Sequence, residues 1–245
     1  MKDEPDPFPI QLSVILPAYE EAGNLEWLLP SLKVVLDGLG VRNDVIVVDT
    51  QTPKDITPEL CRNNGVIYLP REGGGLYSHA VKTGIKASVG KYVLFMDADG
   101  SHPVSLVSTL WSRRNEADLV IASRYVKDGH TENPAVLIFL SLMVNVVFRV
   151  VLGLQCRDVS NSFRLYQGDA LRSLQLNCEN FDIVEEILIK LSLSKKDFTV
   201  LEVPFTFGTR KAGKTKRDLG AFALSYLSTL WRLYRLKSSD KQSNT

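Results

Sequence analysis

The sequence contains little cysteine and no paired cysteine motif. Its three cysteines, Cys61, Cys156 and Cys178, are widely separated in 245 residues, and no Cys-x-x-Cys spacing occurs. This pattern argues against both a disulfide framework and a cysteine-based zinc site. It is typical of a protein in a reducing compartment.

The sequence also lacks a strong charge of either sign. The formal net charge is +1, so no global field that would recruit nucleic acid is indicated. The N-terminal segment MKDEPDPFPIQL is acidic and proline-rich. It has no basic region followed by an apolar one, so we predict no signal peptide.

Internal repeats and low-complexity tracts are absent as well. The hydrophobic content of 44% and the charged content of 23% are ordinary for a globular protein. We predict one domain over residues 10–237, with disordered tails at 1–9 and 238–245.

Apolar runs alternate with helically spaced segments in the first half of the chain. The runs predict strands at Leu12–Pro17, Asp44–Asp49, Val66–Leu69, Lys91–Met96 and Asp118–Ala122. The helical spacing predicts helices at Asn24–Leu39, Thr57–Asn63, Ser78–Ser88 and Val104–Asn115. Strands of this kind, alternating with helices, indicate an α/β fold with a mostly parallel sheet and flanking helices.

Polar residues follow the predicted strands. They are Tyr19-Glu20-Glu21, Asp49, Asp97-Ala98-Asp99 and Ser123-Arg124. Ligands of such sheets bind at the carboxyl ends of the strands, so we expect these residues to converge on one site.

Two carboxylates separated by one residue, Asp97 and Asp99, repel each other unless a cation lies between them or one is protonated. Oxygen ligands of this kind suit Mg²⁺ or Mn²⁺ bound together with substrate phosphates. Ser101 or His102 could add a ligand or a water contact. A lone Asp-x-Asp also occurs on solvated turns, and it is the preceding strand that favours a functional pair here.

Other residues suggest nucleotide and phosphate contacts. Glu20, Glu21 and Asp49 could accept hydrogen bonds from a base or ribose, although turns and caps also use these residue types. Gly73-Gly74-Gly75 could let backbone approach a phosphate or could form a flexible loop. The cations expected near phosphates, with a surface role as the alternative for each, are Arg124, Arg164, Arg210 and Lys216.

The second half of the chain contains a long apolar segment, Val136–Leu152, with Ser141, Asn145 and Arg149 on one helical stripe. Such a helix would be roughly 26 Å long, just under the thickness of the bilayer core. We predict an interfacial helix rather than a spanning one, with a core helix as the alternative. Phe222–Leu236, with aromatic residues and basic flanks, is either a second membrane-surface helix or a C-terminal helix docked on the sheet.

Six motifs carry a family resemblance that extends from Ser13 to about Leu236. In order they are SVILPAYEEAGNL, VIVVD, GKYVLFMDADGSHP, IASRY, DVSNSFRLY and VPFTFGTRKAGKTK. With these motifs, the chain resembles the inverting GT-A glycosyltransferases of family 2, within them the polyprenyl-phosphate (dolichyl-phosphate) mannosyl- and glucosyltransferases.

The resemblance implies roles for individual residues. Asp97 and Asp99 would hold Mg²⁺ or Mn²⁺ on the donor diphosphate, with Ser101 as a further ligand. Arg164 would face the acceptor phosphate, Arg210 and Lys216 would contact the diphosphate or the lipid phosphate, and Glu186 would have a positioning role. The nucleotide and donor contacts would come from Pro17, Tyr19, Glu21, Val48, Asp49, Ala98 and Arg124.

The implied reaction transfers a sugar, most simply mannose from GDP-mannose, to a polyprenyl or dolichyl phosphate. The protein would lie peripherally on the cytoplasmic side of a membrane, and a need for an accessory membrane subunit stays open. A phosphate acceptor is already anionic, so it needs no general base.

Two departures from the family pattern leave alternatives open. Thr50 stands where relatives usually have a second aspartate, and the glycine loop at 73–78 differs from the usual alternating glycines. The alternatives are a UDP-sugar donor (glucose or N-acetylhexosamine), a non-catalytic nucleotide- or lipid-binding relative, and a soluble transferase with a carbohydrate acceptor.

Overall fold

The computed structural model describes residues 9–179, 182–208 and 228–238. The strands are β1 (Leu12–Pro17), β2 (Asn43–Asp49), β3 (Ile67–Pro70), β4 (Tyr92–Phe95), β5 (Leu119–Ser123), β6 (His130–Thr131), β7 (Arg164–Gln167), β8 (Val200–Pro204) and β9 (Thr206–Phe207). The helices are α1 (Ala22–Asp37), α2 (Thr57–Asn63), α3 (Tyr77–Ala87), α4 (Leu106–Ser112), α5 (Ala135–Leu152), α6 (Gly168–Arg172) and α7 (Ile183–Ser194). Residues 228–238 are also helical. The predicted tails lie outside the described residues except for Pro9 and Ser238.

A seven-stranded sheet organises the molecule, in the order β3-β2-β1-β4-β7-β5-β8. Its strands pair in parallel except β7, which runs antiparallel between β4 and β5. The predicted α/β class with a mostly parallel sheet is confirmed. Strand β7 is not evident from the sequence, because four residues are too few to show a strand period.

The core lies on both faces of this sheet. Alternate residues of β1 point to opposite faces, so Ile15 packs with α3 and α7 while Val14 and Leu16 pack with α1 and α4. Gly84 allows α3 to approach β1 closely, because a Cβ at that position would clash with Ile15.

The start of α1 depends on a residue from elsewhere in the chain. The helix begins at Ala22, two residues before the predicted start at Asn24, which lies inside the first turn. The main-chain N–H of Ala22 donates to Asp55 at 3.0 Å, which satisfies one of the unpaired N–H groups at the helix terminus. The Asn24 side chain instead donates to Glu21 at 2.6 Å.

Helix α5 confirms the predicted helix and turns most of its apolar surface outward. Only Asn145, Phe148 and Leu152 are buried within it, whereas Val136 is 70% exposed and Phe139 66% exposed. The core-helix alternative therefore does not hold. By length and composition alone, α5 is long and apolar enough to cross a membrane, which by itself is weak support for a membrane span.

The C-terminal helical segment at 228–238 docks on the domain and also exposes aromatic residues. Leu233 is buried in the core and Arg232 lies 3.6 Å from Glu186, while Trp231 and Tyr234 are more than half exposed. The segment thus combines features of both predicted roles, and residues 222–227 lie outside the described part of the chain.

Candidate active site

The sheet order brings the predicted site residues to one edge. Strands β1, β2, β4 and β5 end at this edge, and the antiparallel β7 begins there. The Asp97–Asp99 turn follows β4, and Ser162 precedes β7, so these two segments meet although 65 positions separate Asp97 from Ser162.

Asp97 is oriented by contacts from two directions. The Ser162 hydroxyl donates to its Oδ1 at 3.0 Å, and its main-chain N–H donates to His102 Nδ1 at 3.0 Å. Because Nδ1 accepts, the neutral imidazole carries its proton on Nε2, which lies 3.7 Å from Asp97 Oδ2. The carboxylate keeps 25% of its side-chain surface exposed, so it is both fixed in place and accessible.

His102 itself is fully buried among aromatic rings. It stacks on Phe163 with ring centroids 4.7 Å apart and meets Phe205 and Phe207 edge-on. Burial lowers the pKa of His102, and this effect exceeds the opposing pull of Asp97 and Asp99. The ring is therefore neutral at pH 7 and acts as a rigid support behind Asp97.

Asp99 is half-buried and is held by Ser101. The main-chain N–H and the hydroxyl of Ser101 donate to Asp99 Oδ1 at 3.0 and 2.6 Å. Ser101 was predicted as a metal ligand, and the structure places its buried hydroxyl in contact with Asp99. In the described residues no group of three or more histidine, cysteine, aspartate or glutamate side chains could hold a metal ion.

These residues suit a divalent cation whose remaining ligands come from the substrate. Two hard carboxylates, each anchored through one oxygen, are a common protein contribution to a Mg²⁺ site that also uses phosphate oxygens and water. The available ligands therefore suit a metal ion that binds together with a diphosphate better than a structural metal site in which the protein supplies every ligand.

Asp49 is a buried carboxylate with an unmet hydrogen-bonding capacity. It is 1% exposed, and within the described ranges its Oδ1 has no hydrogen-bond partner. Its Oδ2 lies 3.5 Å from the Tyr68 hydroxyl, and burial raises the pKa of Asp49. A buried acceptor of this kind is costly unless a donor reaches it, which suits the N–H or O–H groups of a nucleoside.

Thr50 does not take the place of a second ligand-binding carboxylate beside Asp49. Its hydroxyl donates to the Thr52 carbonyl at 2.7 Å, so it stabilises its own loop.

Arg71 is a site residue that was not predicted from the sequence. It is 4% exposed, and its guanidinium donates to the carbonyls of Asp49 at 3.1 Å and Gly75 at 2.8 Å, and to that of Ala18. It therefore ties the ends of β1 and β2 to the glycine loop. The available signal was a basic residue directly after the third strand.

The glycine loop is held by a histidine rather than left without partners. Gly73 and Gly74 have φ values of 83° and 153°, where glycine is favoured. A Cβ at Gly74 would lie 2.8 Å from the His79 ring, and the Leu76 main-chain N–H donates to His79 Nδ1 at 3.2 Å.

The remaining predicted nucleotide contacts differ in accessibility. Tyr19 is half-buried and accepts a hydrogen bond from Lys54 at 2.5 Å, and Pro17 pairs with Val48 at the ends of β1 and β2. Val48 is 0% exposed and Ala98 is 3% exposed. The prediction that Val48 and Ala98 contact the nucleotide or donor does not fit the placement of their side chains, which lie in the two cores.

Arg124 is neutralised by a buried partner. Its Nε and Nη2 donate to Asp158 at 2.8 and 2.7 Å, and its main-chain N–H donates to the same carboxylate at 2.9 Å. Nη2 also donates to the Ser160 hydroxyl at 3.0 Å. Arg124 thus positions the loop that leads to Ser162, and a direct contact with the donor stays a prediction.

Arg164 lies within the protein. It is 0% exposed, and its guanidinium donates to main-chain carbonyls of Asn161 at 2.6 Å, Val184 at 3.2 Å and Val159. The expectation that Arg164 faces an acceptor phosphate does not fit this placement, because main-chain carbonyls inside the protein occupy its donors. Its observed contacts hold the 158–161 loop against α7.

Glu186 also has a structural set of contacts. Its carboxylate accepts the main-chain N–H groups of Asn177 at 3.0 Å and Cys178 at 2.8 Å, and Lys190 lies 3.0 Å away. Burial alone would raise the pKa of Glu186, but these donors outweigh it and lower the pKa. Its partners belong to the 177–178 segment, α7 and the C-terminal helix rather than to the carboxylate edge. Arg210 and Lys216 lie outside the described residues.

The fold and the similarity to known proteins identify the family. This is a GT-A-like fold, with paired carboxylates at the carboxyl edge of a mostly parallel sheet. The model of the family described as Glycosyl transferase family 2 matches residues 13–174. The chain belongs to glycosyl transferase family 2.

Curated relatives extend this likeness beyond the matched region. The chain is 34% identical over 234 residues to a dolichol-phosphate mannosyltransferase of Pyrococcus furiosus, and this match covers 92% of this chain and 64% of that protein. It is 27% identical over 235 residues to an undecaprenyl-phosphate mannosyltransferase of Micrococcus luteus, covering 91% of this chain and 95% of that protein. The chain thus spans less than two thirds of the length of the first relative.

Solved structures show the same fold. Glucosyl-3-phosphoglycerate synthase of Mycobacterium tuberculosis, in complex with Mn²⁺, UDP and phosphoglyceric acid, matches with a TM-score of 0.70 and 20% identity, covering 92% of this chain and 78% of that one. The same enzyme with Mg²⁺ and UDP matches with a TM-score of 0.69 and 20% identity, covering 91% and 79%.

Proposed function

We propose that the protein is an inverting glycosyltransferase that moves a sugar from a nucleotide sugar to a polyprenyl or dolichyl phosphate at a membrane surface. The observation that carries this proposal is the anchored Asp97–Asp99 pair, at the carboxyl edge of a family 2 fold that also contains the unsatisfied carboxylate of Asp49. GDP-mannose is the proposed donor, supported by the two mannosyltransferase relatives.

The donor would be held at two points. Asp49 would accept hydrogen bonds from the nucleoside. Asp97 and Asp99 would hold Mg²⁺ or Mn²⁺, which when bound stabilises the charge that develops on the departing diphosphate. Ser162 orients the Asp97 carboxylate and His102 holds its main chain before the donor arrives, so less reorganisation accompanies binding.

The acceptor would need no proton acceptor in the protein. A phosphate monoester is already anionic at neutral pH, so its oxygen can attack the anomeric carbon directly, and attack opposite to the leaving group inverts the configuration there. What the protein must supply is orientation and charge neutralisation. Arg210 and Lys216 stay the proposed cations for that task.

Membrane association is part of the proposal. The outward apolar face of α5 and the exposed Trp231 and Tyr234 are each suited to the boundary between headgroups and acyl chains. We propose peripheral binding to the cytoplasmic side of a membrane.

Sugar transfer tests the function directly. Purified protein, Mg²⁺ or Mn²⁺ and a polyprenyl phosphate are incubated separately with radiolabelled GDP-mannose, UDP-glucose or UDP-N-acetylglucosamine, and the organic phase is counted. We expect metal-dependent label with GDP-mannose. Label with a UDP-sugar instead would correct the donor, and no label from protein that binds nucleotide would favour a non-catalytic relative or a missing membrane subunit.

A matched pair of variants tests the carboxylate site. Asp99→Asn keeps the size and the hydrogen bond from Ser101 but removes the charge, and we expect transfer to fall by more than about 100-fold. Asp37→Asn makes the same change at an exposed position at the end of α1 and should leave transfer unchanged. Mn²⁺ binding in the presence of nucleoside diphosphate, followed by electron paramagnetic resonance, should weaken only in Asp99→Asn. Full activity of that variant would end the assignment.

A further inference from the structure

A cavity of about 250 Å³ lies against α5, and neither Asp97 nor Asp99 lines it. It is lined by Tyr125, Leu142, Asn145, Val146, Arg149 and Arg157. The proposed function assigns no role to these residues.

The two arginines of this cavity are exposed, and neither guanidinium has an ion-pair or hydrogen-bond partner among the residues that the structure describes. The nearby Arg124 and Arg164 differ, because carboxylate or carbonyl oxygens occupy their donors. Two cations on one concave surface repel each other, and an anion between them relieves that repulsion. Guanidinium forks that converge on one cavity are well suited to phosphate oxygens.

The surroundings of the cavity point to the source of the phosphate. Leu142, Val146 and Val150 are exposed apolar residues beside Arg149 on α5. An apolar helix face that lies in a membrane surface reaches the boundary between headgroups and acyl chains. Basic side chains on the rim of that face are then level with the phosphates of the surrounding lipids.

Positive charge also gathers at the C-terminal end of α5. Arg149 lies in its last turn, and Lys237 donates from Nζ to the Leu152 carbonyl at the end of the helix. Helix α5 itself contains no aspartate or glutamate. This end of the apolar face is therefore complementary to an anionic lipid surface.

Asn145 forms the inner wall of the cavity. Asn145 is buried and donates to the Ser141 carbonyl at 2.9 Å, while its Oδ1 accepts the Ser160 main-chain N–H at 3.0 Å. The Ser160 hydroxyl in turn accepts from Arg124. This chain of hydrogen bonds connects the inner side of the cavity to Arg124, whereas the exposed Arg149 and Arg157 form the outer rim.

We propose that the cavity between Arg149 and Arg157 binds the phosphate of an anionic phospholipid of the bulk membrane, as a headgroup site separate from the catalytic edge. The proposal rests on the membrane association included in the proposed function. It adds a preference for anionic lipid to the apolar contact made by α5.

Vesicle flotation of the full chain tests this site without requiring turnover. The vesicles consist of phosphatidylcholine alone or of phosphatidylcholine mixed with phosphatidylglycerol. We expect Arg149→Gln and Arg157→Gln each to lower partitioning onto the anionic vesicles by about fivefold and the double variant by about 20-fold. Partitioning onto neutral vesicles should not change. Arg62→Gln removes the same charge from an exposed position on α2 and serves as the matched control.

A double lysine variant distinguishes a phosphate site of defined geometry from non-specific attraction between charges. Arg149→Lys with Arg157→Lys keeps both charges but removes the planar forks, so we expect a loss of several-fold on anionic vesicles. Wild-type partitioning by this variant would overturn the site, as would a double glutamine variant that behaves like Arg62→Gln.

The acceptor lipid is the remaining alternative occupant. If the double glutamine variant raises the KM for polyprenyl phosphate in neutral vesicles and leaves anionic binding intact, the cavity holds the acceptor and our proposal is wrong. Failure of the wild type to transfer any sugar would refute the proposed function, whereas the flotation result would still decide the headgroup site.

Discussion

The buried pair of Arg124 and Asp158 permits a quantitative prediction, because the chain offers a matched exposed pair. In both pairs an arginine Nη2 lies 2.7 Å from an aspartate Oδ1. The Asp158 and Arg124 side chains are 0% and 9% exposed, whereas those of Asp169 and Arg172 are 75% and 23% exposed. The same substitution, aspartate to asparagine, therefore isolates the effect of burial.

The expected cost follows from the contacts of Asp158. Its carboxylate accepts three hydrogen bonds from Arg124, and removing one partner of a buried ion pair typically costs about 3–5 kcal/mol because the other charge is left uncompensated. Asparagine retains one acceptor oxygen, so we expect Asp158→Asn to lower the free energy of unfolding by about 3 kcal/mol, at the lower end of that range. An exposed pair contributes about 0–1 kcal/mol, and Asp169→Asn should lie within that range.

Urea unfolding followed by circular dichroism measures both values, with linear extrapolation to water and a comparison of m-values. If the cost arises from the uncompensated charge of Arg124, adding Arg124→Gln to Asp158→Asn should cost less than the sum of the single changes by about 1 kcal/mol or more. Equal effects of Asp158→Asn and Asp169→Asn would refute the reasoning. Because Asp158 also holds the loop that carries Ser162 to Asp97, Mn²⁺ binding should weaken in Asp158→Asn and not in Asp169→Asn.

Two further predictions follow from the perturbed carboxylates. Burial raises the pKa of Asp49, so ionisation of this carboxyl destabilises the folded state as the pH rises. Asp49→Asn should therefore be at least as stable as the wild type at pH 7, and this advantage should disappear in acid. Calorimetry should also show that nucleotide binding weakens by about 10–100-fold, because the charged acceptor is lost. Weaker folding with unchanged nucleotide affinity would contradict this. For Glu186, burial would raise the pKa, but hydrogen bonds from Cys178 and Asn177 and the charge of Lys190 lower it from its ordinary value of 4.5. Its contribution to stability is therefore fully present above pH 4.5 and is lost as the pH falls through the lower pKa of the folded state. Glu186→Gln should thus be destabilised at pH 7 and approach the wild type in acid, with transfer rates per folded molecule unchanged; a catalytic loss at full stability would show instead that Glu186 serves the reaction.

Much of the fold was readable from local patterns. The five predicted strands and the helices between them form, because a buried parallel strand is a continuous apolar run and a surface helix has a 3.6-residue period. The first strand and the second helix have the predicted bounds, and the other ends differ from the predictions by at most three residues. The shift at α1 has a long-range cause, since Asp55 lies 33 positions from the N–H that it accepts.

The roles of the arginines were not readable in the same way. Arg124 and Arg164 stand in phosphate-binding motifs, yet a buried carboxylate neutralises the first and main-chain carbonyls surround the second. Arg149 was predicted only as part of a polar stripe, and Arg157 was not considered. Whether a guanidinium is available to a ligand depends on neighbours that lie far away in sequence.

The sequence by itself determined the α/β alternation, the carboxylates that follow the strands and the long apolar helix, because each is a pattern within a few consecutive residues. Only the tertiary structure decided that β7 inserts antiparallel between β4 and β5 and so brings Ser162 to Asp97. It also decided that α5 turns its apolar surface outward. These features depend on which distant segments pack together, and a local pattern of residue types carries no record of its partner.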